Sequence, residues 1–176
     1  MCCKNGIKLF LLHRVGPSLY NKSMDTFKSI LTQKEGKILV RLIGCIDADT
    51  ELPEITFPQG DLAFNFSEVI HINSLGVRTW VNYLKGLKGF NIELQECSPL
   101  IVRQIIMTPS FSSHAKVVSA YFPYSCDQCS SKMNVLVTKK EWDQNGKTVA
   151  EVLHCDKCNQ DCMELDGDAE QFKQLF

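Results

Sequence analysis

The chain has 176 residues, 44% hydrophobic and 22% charged, ordinary proportions for a soluble globular protein. Lys plus Arg is 19 and Asp plus Glu is 20, a net charge of −1, so no global basic excess points to nucleic acid or an anionic membrane. No apolar run approaches the ~20 residues that span a bilayer, and nine cysteines stand out as an unusual count.

Residues 1–23 carry Lys4, Lys8, Arg14 and Lys22 and no acid. This stretch reads as a weakly ordered extension rather than a membrane-associating segment, with Met24 a reasonable alternative start. It holds no convincing secretory signal, so the chain is expected in the cytoplasm. Residues 37–46, KILVRLIGCI, are almost continuously apolar and predict a buried strand ending at Gly44-Cys45-Ile46-Asp47. Residues 50–60 hold two prolines and leave room for little more than a turn. Residues 61–66 alternate, with Leu62, Phe64 and Phe66 on one face of a second strand.

From about Leu75 the period becomes helical: Val77, Trp80, Val81, Leu84 and Leu87 share one face. Gly86 and Gly89 bracket the end of that helix. Residues 91–97 give a third strand with Ile92 and Leu94 inward. Ser98-Pro99 opens another helix, Ser as N-cap and Pro in the first turn, which ends before Pro109. Residues 116–122 form a last strand before Pro123. Strands alternating with helices predict an α/β layer, helices against a sheet.

Five of the nine cysteines fall within residues 126–162. Cys126-x-x-Cys129 and Cys155-x-x-Cys158 are two knuckle motifs separated by 25 residues. Two thiolates three positions apart reach one metal from a tight turn, and two such turns supply four sulfurs for tetrahedral zinc. Between them, residues 133–139 and 148–154 are rich in β-branched residues and flank Asn145-Gly146, which predicts a hairpin joining the knuckles. This layout resembles a zinc ribbon. Four sulfurs leave no open position for water or substrate, so the zinc is expected to be structural and to supply folding energy. Disulfides compete for the same cysteines but need an oxidising compartment, and a redox pair is disfavoured because neither motif opens a helix. Cys162 is a fifth sulfur, an alternative ligand to Cys158 or a free thiol. His154 reads as a surface residue, and Cys45 and Cys97 as buried thiols at strand ends.

Gly44-Cys45-Ile46-Asp47 after a strand, Asn73-Ser74-Leu75-Gly76-Val77 at a helix start, and Ser98-Pro99 at a later helix start together resemble the STAS domain, the fold of anti-sigma-factor antagonists. The resemblance covers about residues 34–122 and implies a mixed sheet with helices. The chain departs from the family in its short 50–60 segment and in Asn73, which replaces the acid before the signature serine. In STAS regulators that serine is phosphorylated by a partner kinase, which turns binding off; Ser74 holds the matching position. Asp47 matches a partner-contacting corner acid in some members. A phosphate adds about −1.5 to −2 charges at a helix N-terminus that tolerates them. The competing readings are plain ones: Asn73 or Ser74 as an N-cap, Asp47 as a turn former, Arg78 on a solvated helix face, and Trp80 and Tyr83 as packing residues.

No P-loop, G-x-S-x-G or H-E-x-x-H motif occurs, so no enzyme constellation is expected. The expected organisation is an extension over 1–23, a STAS-like α/β domain over 24–122, a zinc ribbon over 123–165 and a tail over 166–176 with a short helix. The expected role is a non-catalytic regulatory module of the anti-sigma-factor antagonist type. It would dock a protein, an anti-sigma-type kinase or another STAS-docking component, around Asp47, Asn73, Ser74 and Arg78. A nucleic-acid accessory role for the ribbon and a nucleotide-sensing role for the STAS-like part are the alternatives. Residues 127–176 hold six Lys and Arg against ten Asp and Glu, which disfavours phosphate contact.

Overall fold

The computed structural model describes residues 26–34, 36–56 and 59–176, so the extension expected over 1–23 lies outside the described residues. Strands β1 (Lys28–Lys34), β2 (Lys37–Ile46), β3 (Gly60–Ile72), β4 (Phe90–Gln95) and β5 (Ala115–Val117) form one sheet in that order. β1 is antiparallel to β2, and the other neighbours are parallel. Parallel neighbours need crossovers. α1 (Ser74–Gly86) carries the chain from β3 to β4, and α2 (Pro99–Met107) with a 3₁₀ turn at Pro109–Ser112 carries it from β4 to β5. The expected α/β class is what is found: a mixed sheet with helices, followed by a second, antiparallel sheet.

The register explains which face the helices cover. Ile38, Leu62 and Ile92 line up across three strands, as do Val40, Phe64 and Leu94, and all six are buried. The opposite face aligns Arg41, Asn65 and Gln95, and carries the Lys37–Glu93 ion pair at 2.5 Å and the Arg41–Glu68 pair. β2 therefore alternates between buried and half-exposed residues rather than being enclosed on both faces. Its apolar odd positions, Leu39 and Ile43, are only half-buried.

Trp80 of α1 locks the helix to this core. Its ring meets Phe64 and Phe66 edge-on, at 5.0 and 5.1 Å between centroids. Its Nε1–H donates to the carbonyl of Phe111, 2.9 Å away, so burying the indole leaves no donor unpaired.

The second sheet contains β6 (Ser119–Cys126), β7 (Lys132–Thr138), β8 (Val152–Cys155) and β9 (Gln160–Leu165), in the order β7-β6-β9-β8. All its pairings are antiparallel. The strand expected over 116–122 is thus two strands, one in each sheet. Cys97 joins the sheets: its N–H donates to the Ser119 carbonyl, and its carbonyl accepts from Tyr121 N–H.

The expected hairpin between the knuckles is corrected. β7 and β8 lie on opposite edges of the sheet and do not pair. The two hairpins are β6–β7 and β8–β9, each with a knuckle at its turn, and β6 pairing with β9 unites them. The segment after β7 is α3 (Lys139–Gln144), started by a reciprocal capping box. Thr138 Oγ1 accepts from Glu141 N–H at 3.2 Å, and Glu141 Oε2 accepts from Thr138 N–H at 2.9 Å. Asn145-Gly146 ends this helix instead of turning a hairpin: Gly146 has φ +72° and Lys147 N–H returns to the Trp142 carbonyl.

The second sheet does not build its core from its own strands alone. Phe122, Trp142 and Phe172 are buried together, with α4 (Ala169–Phe172) supplying the third ring at 4.6 Å from Phe122. Phe176 closes the group, 5.5 Å from Trp142. One continuous apolar cluster runs from β2 to Leu175. Among the described residues, no helix is long and apolar enough to cross a membrane.

Candidate functional site

The two knuckles have the same backbone design. Cys126 ends β6 and Cys155 ends β8. Four residues after each comes a residue in the left-handed region, Ser130 at φ 54° and Asn159 at φ 56°. Its N–H donates back to the carbonyl of the first cysteine, at 2.9 Å for Ser130 and 2.7 Å for Asn159. Asn tolerates this conformation better than most residues. Each turn thereby returns its second cysteine, Cys129 or Cys158, toward the first.

The β6–β9 pairing then brings the knuckles together. The sulfurs of Cys126, Cys129, Cys155 and Cys158 all lie within 4.8 Å of one another and could hold a metal ion. Cys126 Sγ to Cys158 Sγ and Cys129 Sγ to Cys155 Sγ are both 3.6 Å. A tetrahedron with metal–sulfur distances of ~2.3 Å has edges of ~3.8 Å, close to these separations. None of the five clustered cysteines is in a disulfide.

Cys162 also comes to this site, from β9. Its sulfur is 3.2 Å from Cys126 Sγ and 3.5 Å from Cys158 Sγ. On the opposite edge, the Ser131 hydroxyl lies 3.1 Å from Cys129 Sγ and 3.2 Å from Cys155 Sγ. That hydroxyl, then the backbone N–H of Cys158, pulls the Cys155 thiol down to about 5. Burial works against ionising Cys126, but the Cys129 N–H and the neighbouring Cys162 outweigh it and lower its pKa. Burial raises Cys158. Ser131 is a contributor that sequence reading missed, and its position two residues after Cys129 was the only signal available.

His154 is not part of this cysteine cluster. It is exposed, with Nδ1 2.8 Å from Asp161 Oδ1 and Nε2 3.3 Å from Asn159 Oδ1. Cys97 is fully buried, which pushes its thiol well above the ordinary range. Cys45 is half-buried.

The second candidate surface is the start of α1. Asn73 is its N-cap: Oδ1 accepts from Gly76 N–H at 2.8 Å. Ser74 is the first helical residue and is exposed, so its hydroxyl is not spent on that cap. Asn73 N–H donates to the Ile46 carbonyl at 3.3 Å, which sets the helix start against the end of β2 and beside Asp47. Asp47 Oδ1 accepts from Asp49 N–H and from Thr50 Oγ1, both at 3.0 Å, the bonding of a turn-forming aspartate. Asn73 and Gly76 therefore seat the start of α1 against the Ile46–Asp47 corner, and Leu75 in its first turn is 53% exposed. Arg78 is exposed one turn further along the helix. Trp80 and Tyr83 pack inward, as their plain reading required. Asp47, Asp49 and Glu51 line one cleft of about 470 Å³ with Phe27 and Lys28.

No family model matches the chain, and no curated protein matches it in sequence.

Proposed function

We propose that the protein is a non-catalytic regulatory module that docks a protein partner on the α1 start, with a structural zinc ion held by Cys126, Cys129, Cys155 and Cys158. The observation that carries the docking reading is the seating of α1. Gly76 lies against the Ile46 backbone, so Ser74 and the exposed Leu75 are presented beside Asp47 on rigid elements. The STAS resemblance places a phosphorylatable serine at Ser74. A partner that buries Leu75 would have to desolvate a phosphate on the neighbouring residue, which is costly. Phosphorylation would then oppose docking, with an anti-sigma-type kinase or another STAS-docking component as the partner class.

Zinc is the metal of choice because four thiolates in tetrahedral reach suit it, and because a closed four-sulfur set has no vacant position for catalysis. The three carboxylates on the cleft between the start of β1 and the segment after β2 disfavour the nucleotide-sensing alternative, since they repel phosphates. The acidic balance of residues 127–176 does the same for nucleic acid.

The test is a pair of affinity captures from source-cell extract with zinc-loaded full chain, one bait wild type and one Ser74→Asp. A partner retained by the wild type and by Ser74→Ala, but lost by Ser74→Asp, supports the switch. Identical capture by all three baits removes Ser74 from the interface. Metal analysis of the purified wild type, expected at one zinc per chain, tests the other half of the reading.

A further inference from the structure

We propose that Cys162 makes the metal centre peroxide-sensitive: oxidised first, it draws Cys126 out of the ligand set as a disulfide and releases the metal. This inference rests on the reading of the four knuckle cysteines as a metal site.

A tetrahedral ion has four positions and five sulfurs surround this one. The fifth is not placed as a spare vertex. Cys162 is not one of the four cysteines whose sulfurs all lie within 4.8 Å of one another, yet its sulfur is 3.2 Å from Cys126 Sγ. It sits outside the ligand set and against one ligand. The environment of the four ligands is correspondingly uneven. Cys129 and Cys155 both face the Ser131 hydroxyl. Cys126 and Cys158 face another sulfur.

The backbone already holds the reacting pair side by side. Cys126 pairs with Met163 across β6 and β9, and Asp127 N–H donates to the Cys162 carbonyl at 3.3 Å. Bond formation requires the two sulfurs to close from 3.2 Å to ~2.05 Å, a displacement within side-chain reach. Access is also ordered: Cys126 is 2% exposed, whereas Cys162 is only half-buried. Cys162 is therefore the sulfur of this pair that a small oxidant meets first.

The chemistry balances with hydrogen peroxide as the oxidant. The Cys162 sulfur attacks one peroxide oxygen, the O–O bond breaks and water leaves. Cys162 becomes a sulfenic acid, oxidised by two electrons. The Cys126 thiolate then attacks that sulfur; an S–S bond forms, the S–O bond breaks and hydroxide departs. Cys126 has now lost its metal bond, and three thiolates remain. A dithiol reductant returns both thiols.

The experiment uses the zinc-loaded full chain, hydrogen peroxide and a chromophoric chelator too weak to strip the reduced protein. Wild type and Cys162→Ser are both expected to hold one zinc. Wild type is expected to release it about tenfold faster under peroxide, and non-reducing peptide mapping is expected to find Cys126 joined to Cys162. Dithiothreitol and zinc then restore the starting protein. Equal release rates, or a disulfide between other cysteines, would overturn the proposal. So would loss of zinc in Cys162→Ser with retention in Cys158→Ser, because Cys162 would then be a ligand. In that case the metal site itself survives with a changed ligand set. A wild type that holds no zinc overturns the metal site and this inference together.

Discussion

Gly76 and Ile46 touch backbone to backbone. A Cβ placed on Gly76 would stand 2.1 Å from the Ile46 carbonyl oxygen and 2.9 Å from Asp47 N. Neither neighbour is a flexible side-chain tip, so the conflict can be relieved only by moving α1 off the end of β2. The same contact that demands glycine therefore also fixes the start of α1 against the Ile46–Asp47 backbone.

Gly76→Ala is expected to cost about 3 kcal/mol, at the upper end for overpacking a close contact. A urea titration reads this as a lower midpoint with an unchanged slope. Gly86→Ala is the control. A Cβ there meets nothing within 4 Å at the end of the same helix, so alanine should be neutral or gain up to about 1 kcal/mol. Equal losses in both variants would mean that the contact with Ile46 is not what sets the cost.

Tyr83 ties α1 to the connection between β2 and β3. Its hydroxyl donates to the Pro53 carbonyl at 2.7 Å, and burial raises its pKa. A raised folded-state value favours the protonated phenol in the native protein. The contribution is fully present below the ordinary tyrosine pKa of ~10 and is lost as pH rises beyond it. Tyr83→Phe should cost about 1 kcal/mol at neutral pH. It should also remove one late-ionising phenol from an alkaline absorbance titration, and an unchanged titration would refute the assignment.

The elements with strong period were legible in the sequence, and for a physical reason. α1 and β4 each present one apolar face to a single core, so Trp80, Leu84, Ile92 and Leu94 report their own burial. The four-cysteine cluster that could hold a metal was legible because sulfur pairs at a fixed spacing have few other uses. Strand pairing in the second sheet was not. Residues 133–139 and 148–154 both look extended around an Asn-Gly, but the Thr138–Glu141 capping box inserts a helix between them. Its signature, Thr followed three residues later by Glu, was present and outweighed by the Asn-Gly signal. β1 and β9 were missed because they alternate poorly. Ile30 and Leu31 are consecutive and both exposed, at 43% and 42%, so neither face of β1 stands out. Ser131 could not be found from sequence, because a serine near a knuckle gains its role only from where Cys155 arrives.

Phe172 is the more buried of the two rings, with Phe176, through which the C-terminal residues join the second sheet. It lies 4.6 Å from Phe122 and is 6% exposed. Phe172→Ala is expected to cost about 3 kcal/mol, the usual scale for emptying a buried aromatic site. Trp142 stacks on Phe122 at 5.8 Å, so its fluorescence should change in the native state as well as in the transition. A stability unchanged within a few tenths of a kcal/mol would place the tail outside the folding unit.

Metal removal separates two sources of stability in the second sheet. Read from composition alone, residues after 126 are too few for a core, and a metal would have to fold them. The aromatic group changes that expectation, because Phe122, Trp142 and Phe172 join a cluster continuous with the first sheet. The knuckles lie at the hairpin turns, closed by turn hydrogen bonds and by the sulfur cluster. Chelation is therefore expected to loosen 126–131 and 155–160 first. Hydrogen exchange should rise there while amides of β2 and β3 keep their protection. Cys155→Ser should reproduce the pattern without chelator, because it removes one of the four clustered sulfurs and one of the two sulfur partners of the Ser131 hydroxyl. Loss of protection in both sheets at once would mean that the metal, and not the aromatic group, holds the second sheet to the first.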